Sequence, residues 1–164
     1  DAGLVLVPRH AERAREALAD VTAEGMSCQL RSGMREADAL QGPDVLMVDT
    51  TGELAAFYAA ATIVYVGKSL FNHGGQNMLE PALLGKPVIV GPNTENFTDA
   101  VRILLAGEGI RQACDEADLS AAVLGLLQDS EARDRMAHNA TQVLKSKQGV
   151  VARSVEDLLP LIKA

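Results

Sequence analysis

The sequence has no tryptophan, and aromatic residues make up 3% of it. Proteins that hold single strands of nucleic acid stack bases on aromatic side chains, so this scarcity argues against that class. A formal net charge of −7 points the same way, because phosphate-backbone binders need a basic face. It also disfavours a polybasic membrane anchor. No apolar run approaches the roughly 20 residues that span a bilayer, and no signal-peptide pattern opens the chain. The two cysteines, Cys28 and Cys114, are far apart in apolar stretches and read as reduced core residues of a cytosolic protein. A G-x-G-x-x-G turn after the first strand is missing, as are a Walker A lysine loop and a zinc-spaced Cys/His cluster. His138 falls on a polar helix face, where solvation is expected, and no Ser or Cys stands in a nucleophile-elbow context.

What is present is an ordinary globular composition over 164 residues, 48% hydrophobic, expected to fold as a single domain over 1–164. Short β-branched runs alternate with longer helical segments. "GLVLVP" (3–8) reads as a buried strand, followed by a helix with Ala11, Ala14, Leu18 and Val21 on one face and Gly25 as its stop. Further strands are expected at 26–32, 44–49, 62–67, 86–92 and 110–114, with helices at 53–61, around "MLEPALLG", and at "TDAVRILLAGEG". After Cys114 the strands stop, and three amphipathic helices follow, the last in "VVARSVEDLLPLIKA". Continuous hydrophobic strands separated by helices predict a Rossmann-like, doubly wound parallel sheet of about six strands with helices on both faces. In such sheets the ligand lies beyond the carboxyl ends of the strands.

Four strand ends carry unusual chemistry. Arg9 and His10 follow the first strand, and Asp49, Thr50, Thr51, Gly52 and Glu53 follow the third. Lys68, Ser69, His73, Gly74, Gly75, Gln76, Asn77 and Glu80 follow the fourth; Pro92, Asn93 and Asn96 follow the fifth. Each group also has a plainer reading. Arg9 and His10 suit a solvated helix start, "TTGEL" suits helix capping, and Gly74-Gly75 suits a turn. Asn77 and Glu80 have the spacing of a capping box. Pro81 complicates that box, because it disfavours helical backbone at the residue before it. The alternative places the helix start at Pro81, with Glu80 just outside and free to face the crevice. The functional reading rests on coincidence of chemistry. Backbone amides after paired glycines suit a phosphate, Arg9 suits the same anion, and Glu53 and Glu80 suit ribose or base donors. A nucleotide wants all of these at once.

These stretches together resemble the carboxyl-terminal domain of bacterial 3-deoxy-D-manno-octulosonic acid (Kdo) transferases. The motifs are "PRHAER", "DTTGELAAFYAAA", "VGKSL", "HGGQNMLEPALLGKPVIVGP" and "ENF", in family order over residues 7 to 97. The resemblance implies one half of a glycosyltransferase-B fold that binds the donor CMP-Kdo. The whole enzyme would transfer Kdo to a lipid A precursor in lipopolysaccharide biosynthesis, with inversion, at the cytoplasmic face of the bacterial inner membrane. It implies donor contacts at Arg9 and His10, at Gly52 and Glu53, at Ser69, Gly74, Gly75 and Asn77, and at Glu80 beside the ribose; Lys68 is a further donor-binding candidate by its own charge, beside the phosphate. It implies no metal and no cofactor besides the donor substrate.

The general base and the acceptor site would belong to an amino-terminal domain of the same polypeptide. This stretch alone is then expected to be soluble, to bind donor and to be inactive. Thr51 stands where the family often has Met, Lys68 where a second Gly is common, and Gln76 where His is frequent; these departures bear on contacts to base and sugar. Other readings are another glycosyltransferase-B enzyme or epimerase using a UDP-sugar, and a non-catalytic interaction module.

Overall fold

A computed structural model of the chain describes residues 3–34 and 42–147. The expected last helix, from 150 onward, lies outside the described residues. The chain divides into two compact units, Asp1–Phe57 and Tyr58–Ala164. All six expected strands are present, each shorter than its hydrophobic run, and hydrogen bonding places them in two three-stranded parallel sheets.

In the first unit, β1 (Leu4–Leu6), β2 (Cys28–Leu30) and β3 (Val45–Met47) pair in the order β1-β3-β2. Leu4 and Cys28 both align with Val45, so the three carboxyl ends are level. A 3-10 turn at Ala11–Arg13 leads into α1 (Ala14–Ala23). Helical spacing puts Ala14 and Val21 of α1 on Val45 and Met47 of β3, with Leu6, Ala17, Cys28 and Leu30 around them. The buried β1 expected from the sequence is not found. It is an edge strand, with Leu4 48% and Val5 43% exposed, because only β3 is flanked on both sides.

The second unit contains β4 (Val64–Val66), β5 (Val88–Val90) and β6 (Arg111–Gln112), in the order β4-β5-β6. Side chains of a strand point alternately to its two faces. Val88 and Val90 accordingly join Val64, Val66, Met78, Ala82, Val101 and Leu104, whereas Ile89 joins Ala113, Ala122 and Leu126. The first cluster is covered by α3 (Leu79–Leu83), α4 (Thr98–Ala106) and α6 (Ser130–Lys147), and the second by α5 (Glu116–Gln128). All three residues of β5 are 0% exposed, as two covered faces require. Helix α5 begins three residues before the apolar pattern does, because Asp115 accepts from the Asp118 amide at 2.8 Å as its N-cap. Cys114, expected in the core, is exposed at the end of β6; Cys28 is half-buried, and both are free thiols. No helix among the described residues is long and apolar enough to cross a membrane.

The chain crosses itself most tightly where β4 and β5 end. Ser69 is 1% exposed; its hydroxyl donates to the Val66 carbonyl at 2.7 Å and accepts from the Gly91 amide at 2.7 Å. A β-carbon on Gly91 would lie 2.3 Å from the Ser69 carbonyl oxygen and 2.5 Å from the Leu70 nitrogen. Both are backbone atoms and no side-chain rotation relieves the clash. Gly91→Ala is expected to destabilise the chain by about 3 kcal/mol, the upper range for overpacking a well-filled site. Urea unfolding monitored by circular dichroism measures it, and a loss below about 1 kcal/mol would show that the crossing can relax.

Candidate functional site

The expected site residues of the first unit follow β1 and β3, which are adjacent strands with level carboxyl ends. Arg9 and His10 are exposed and precede the 3-10 turn, where the His10 carbonyl accepts from the Arg13 amide at 3.0 Å. Among the described residues neither Arg9 nor His10 engages its side chain in a hydrogen bond or ion pair. Gly52 has φ +85°, a backbone conformation glycine adopts without strain, and it turns the chain sharply after Thr50. Glu53 is half-buried. One of its carboxylate oxygens accepts from the Thr50 hydroxyl and the other from the Arg31 guanidinium at 2.9 Å. The Thr50 hydroxyl foremost, with Arg31 behind it, holds this carboxyl below the usual carboxylate range.

Arg31 was not among the sequence candidates. It stands directly after β2 in "LRS", a shorter strand than the 26–32 expected from the sequence, which places Arg31 inside it. The next residue repeats the arrangement. The Ser32 amide and hydroxyl donate to Asp49 at 2.8 and 2.5 Å, so two polar ties join the ends of β2 and β3.

In the second unit, Lys68 follows β4 with φ +63°, in the left-handed region that non-glycine residues rarely adopt. That conformation explains why glycine suits this position, and it leaves the ammonium of Lys68 exposed. Ser69, expected to contact the donor, is buried with its hydroxyl engaged by backbone on both sides. Gly74 and Gly75 have φ +97° and +63°. The Gly74 amide donates to Glu95 at 2.6 Å. Among the described residues, the amides of Gly75, Gln76 and Asn77 donate to nothing.

Helix α3 does not begin at Pro81, as the alternative from sequence has it. It begins at Leu79, with Asn77 accepting from the Leu79 amide at 3.0 Å. Pro81 is the third helical residue, where an amide has no intrahelical partner to lose, so the ring is accommodated within the first turn. Glu80 is therefore inside the helix, and its exposure comes from the face it occupies. It does not close a capping box with Asn77, whose partner is Leu79. Burial pushes the Tyr58 phenol up, and the nearby Glu80 charge adds to the shift.

Glu95, also absent from the sequence candidates, accepts from two residues of the glycine loop. His73 Nδ1 lies 2.8 Å from one carboxylate oxygen and the Gly74 amide 2.6 Å from the other. The contact with His73, followed by backbone amides including Gly74, draws the Glu95 carboxyl down to about 2. A carboxyl whose folded value is depressed contributes stability above its ordinary value near 4.5, and loses it as pH falls toward 2. Carboxyl-detected NMR titration is expected to give Glu95 a midpoint near 2, and His73→Ala to raise it toward 4.5. An ordinary midpoint in the parent chain would show that the contact is not held in solution.

Residues 35–143 match the family model for glycosyl transferases group 1. The chain is 37% identical over 157 residues to a 3-deoxy-D-manno-octulosonic acid transferase of Bordetella pertussis, covering 94% of this chain and 36% of that protein. It is 35% identical to the enzyme of the same name from Haemophilus influenzae, covering 98% of this chain and 37% of that protein. The chain thus spans little more than a third of the length of these relatives. Its fold is similar to the crystal structure of the C-terminal CMP-Kdo binding domain of WaaA from Acinetobacter baumannii. That similarity has a TM-score of 0.77 at 30% identity, and covers 87% of this chain and 73% of that one. The strand order, the glycine loop and the relatives agree: the chain belongs to the group 1 glycosyl transferases, and among them to the Kdo transferase family.

Proposed function

We propose that this chain is the donor-binding domain of a Kdo transferase and holds CMP-Kdo during transfer to a lipid A precursor. The observation that carries the reading is the similarity to a domain described as CMP-Kdo binding, at 30% identity and over 87% of this chain. The local chemistry supports it. The amides of Gly75, Gln76 and Asn77 lack acceptors among the described residues, and Lys68 presents an exposed ammonium in the same unit. As the sugar leaves CMP, negative charge develops on phosphate oxygens. Fixed amide donors and a cation stabilise such charge without reorganising during the reaction. Glu80, exposed on α3, would orient the nucleoside by accepting from its hydroxyls. Arg9, His10, Gly52 and Glu53 enter the proposal through the resemblance of their motifs.

The rest of the reaction is assigned to parts of a longer polypeptide. Removing the acceptor proton needs a general base, and the proposal places it in an amino-terminal domain, together with the lipid A site. Inversion and a position at the cytoplasmic face of the inner membrane belong to the same reading, as does transfer without a metal.

Thermal denaturation of the chain with added nucleotides tests the proposal. Ligand at 100 times its dissociation constant stabilises a fold by about 2.7 kcal/mol. CMP is expected to raise the melting temperature more than UMP or NAD, and Glu80→Ala to reduce the response. No shift with CMP, or a larger one with UDP, would sink the CMP reading. Lys68→Gly provides a second check. Relief of the left-handed strain is expected to stabilise the unliganded chain by about 0.5 to 1 kcal/mol, while loss of the cation shrinks the CMP response. An unchanged CMP response would remove Lys68 from the phosphate site.

A further inference from the structure

We infer that Glu95, working with His73, is a positioning residue: it clamps the glycine loop so that the amides of Gly75 to Asn77 are held ready for the donor phosphate. The inference rests on the nucleotide-binding reading above and adds a residue that the resemblance does not assign.

Paired glycines reach left-handed backbone without strain, and for the same reason they do not stay there unaided. Glycine visits positive and negative φ about equally, so it loses more conformational freedom on ordering than any other residue. Gly74 and Gly75, at φ +97° and +63°, therefore need an external restraint. The segment after β5 provides one. Glu95 receives the Gly74 amide at 2.6 Å on one oxygen and His73 Nδ1 at 2.8 Å on the other. The Asn96 amide donates back to the Gly74 carbonyl at 3.4 Å. Gly75 is pressed on the same segment, where a β-carbon would lie 3.1 Å from the Asn93 carbonyl oxygen and 3.3 Å from the Thr94 α-carbon.

The platform that carries Glu95 is itself fixed. The Asn93 amide donates to the Ser69 carbonyl at 2.8 Å, and its side-chain amide to the Leu70 carbonyl at 3.0 Å. The Phe97 amide donates to the Thr94 carbonyl at 2.8 Å, and the Thr98 hydroxyl to the Glu95 carbonyl at 2.9 Å. Restraint thus passes from the sheet through 93–98 to the loop. The clamp takes up the Gly74 amide alone and leaves the next three free of acceptors among the described residues.

The sign of the mutational effect separates this role from plain electrostatics. A carboxylate near a phosphate repels it, so charge alone predicts tighter CMP binding when Glu95 is neutralised. Positioning predicts the reverse. Calorimetric titration of the 164-residue chain with CMP and with cytidine makes the comparison. Glu95→Ala is expected to weaken CMP binding about tenfold, a common scale for one charge-assisted hydrogen bond. Cytidine, lacking the phosphate, is expected to change by less than about twofold on the same energy scale. Glu95→Gln, whose amide oxygen still accepts from Gly74, is expected to fall between.

Unchanged or tighter CMP binding in Glu95→Ala overturns the inference, as does equal weakening of CMP and cytidine. Should the parent chain bind neither ligand, the nucleotide reading falls, and hydrogen exchange at the Gly74 amide decides the clamp by itself. Exchange about tenfold faster in Glu95→Ala supports the clamp, and an unchanged rate removes it.

Discussion

The second unit depends on the contact between Ser69 and Gly91. Two chain segments leave adjacent parallel strands and would diverge at once if nothing held them. Ser69 prevents this by using its hydroxyl as donor to Val66 and acceptor from Gly91, while its own carbonyl accepts from Asn93. The absence of a side chain at Gly91 lets the backbones approach closely enough for those bonds to form. A buried hydroxyl satisfied on both sides costs little, whereas an unsatisfied one costs on the order of 1 to 3 kcal/mol, so the arrangement tolerates neither partner changing alone. Both the glycine loop and the Glu95 segment grow from this junction. Their geometry is inherited from it.

The fold was legible where burial imposes a period. Val88, Ile89 and Val90 announce a strand covered on both faces, and the structure divides them between two hydrophobic clusters. It was less legible where the same kind of residue sits at an edge. "LVLV" looks as buried as "VIV", yet Leu4 and Val5 are exposed, because hydrophobicity records what a strand can bury and not which strand is central. Cys114 is exposed for a related reason: the apolar Ile110 and Ala113 that flank β6 are buried, and Cys114 lies one residue beyond them. For Pro81 the sequence leaves two helix starts open, because a proline's effect depends on where the helix begins, and α3 begins at Leu79. Two residues of helix before it leave its missing amide among those that no helix uses.

The candidate site was legible in part, for a different physical reason. The rule that ligands sit at strand carboxyl ends picks out positions without needing to know their partners. It singles out the glycine loop and Glu80 in one unit, and Arg9 and Glu53 in the other, as candidates. Arg31 and Glu95 also follow strands, but what marks them out are pairings 22 and 21 residues apart in sequence, with Glu53 and with Gly74. No period or capping rule reaches across such a separation. Lys68 departs from the family pattern, and its φ of +63° explains why glycine would suit that position.

Net charge is a poor guide to the field that a ligand meets on this chain. At −7 the protein would be expected to repel an anionic donor at long range. At short range the carboxylates that flank the strand ends are largely matched. Glu53 faces Arg31 at 2.9 Å, Glu95 faces His73 at 2.8 Å, and Asp49 accepts twice from Ser32. Pairs as exposed as these add little to stability, commonly about 0 to 1 kcal/mol. Their value is local. The Arg31 guanidinium offsets the Glu53 charge, and each of the three contacts fixes a loop at a strand end. Preorganised dipoles stabilise developing charge better than mobile ones, since no reorganisation is needed at the moment of reaction. Under the donor-binding proposal the amides of Gly75 to Asn77 would be such dipoles, and Lys68 is an exposed cation of the same unit without an ion-pair partner among the described residues. Under the same proposal, an acidic chain receives an acidic ligand where free amides and a cation meet it, with Glu53 and Glu95 already engaged elsewhere.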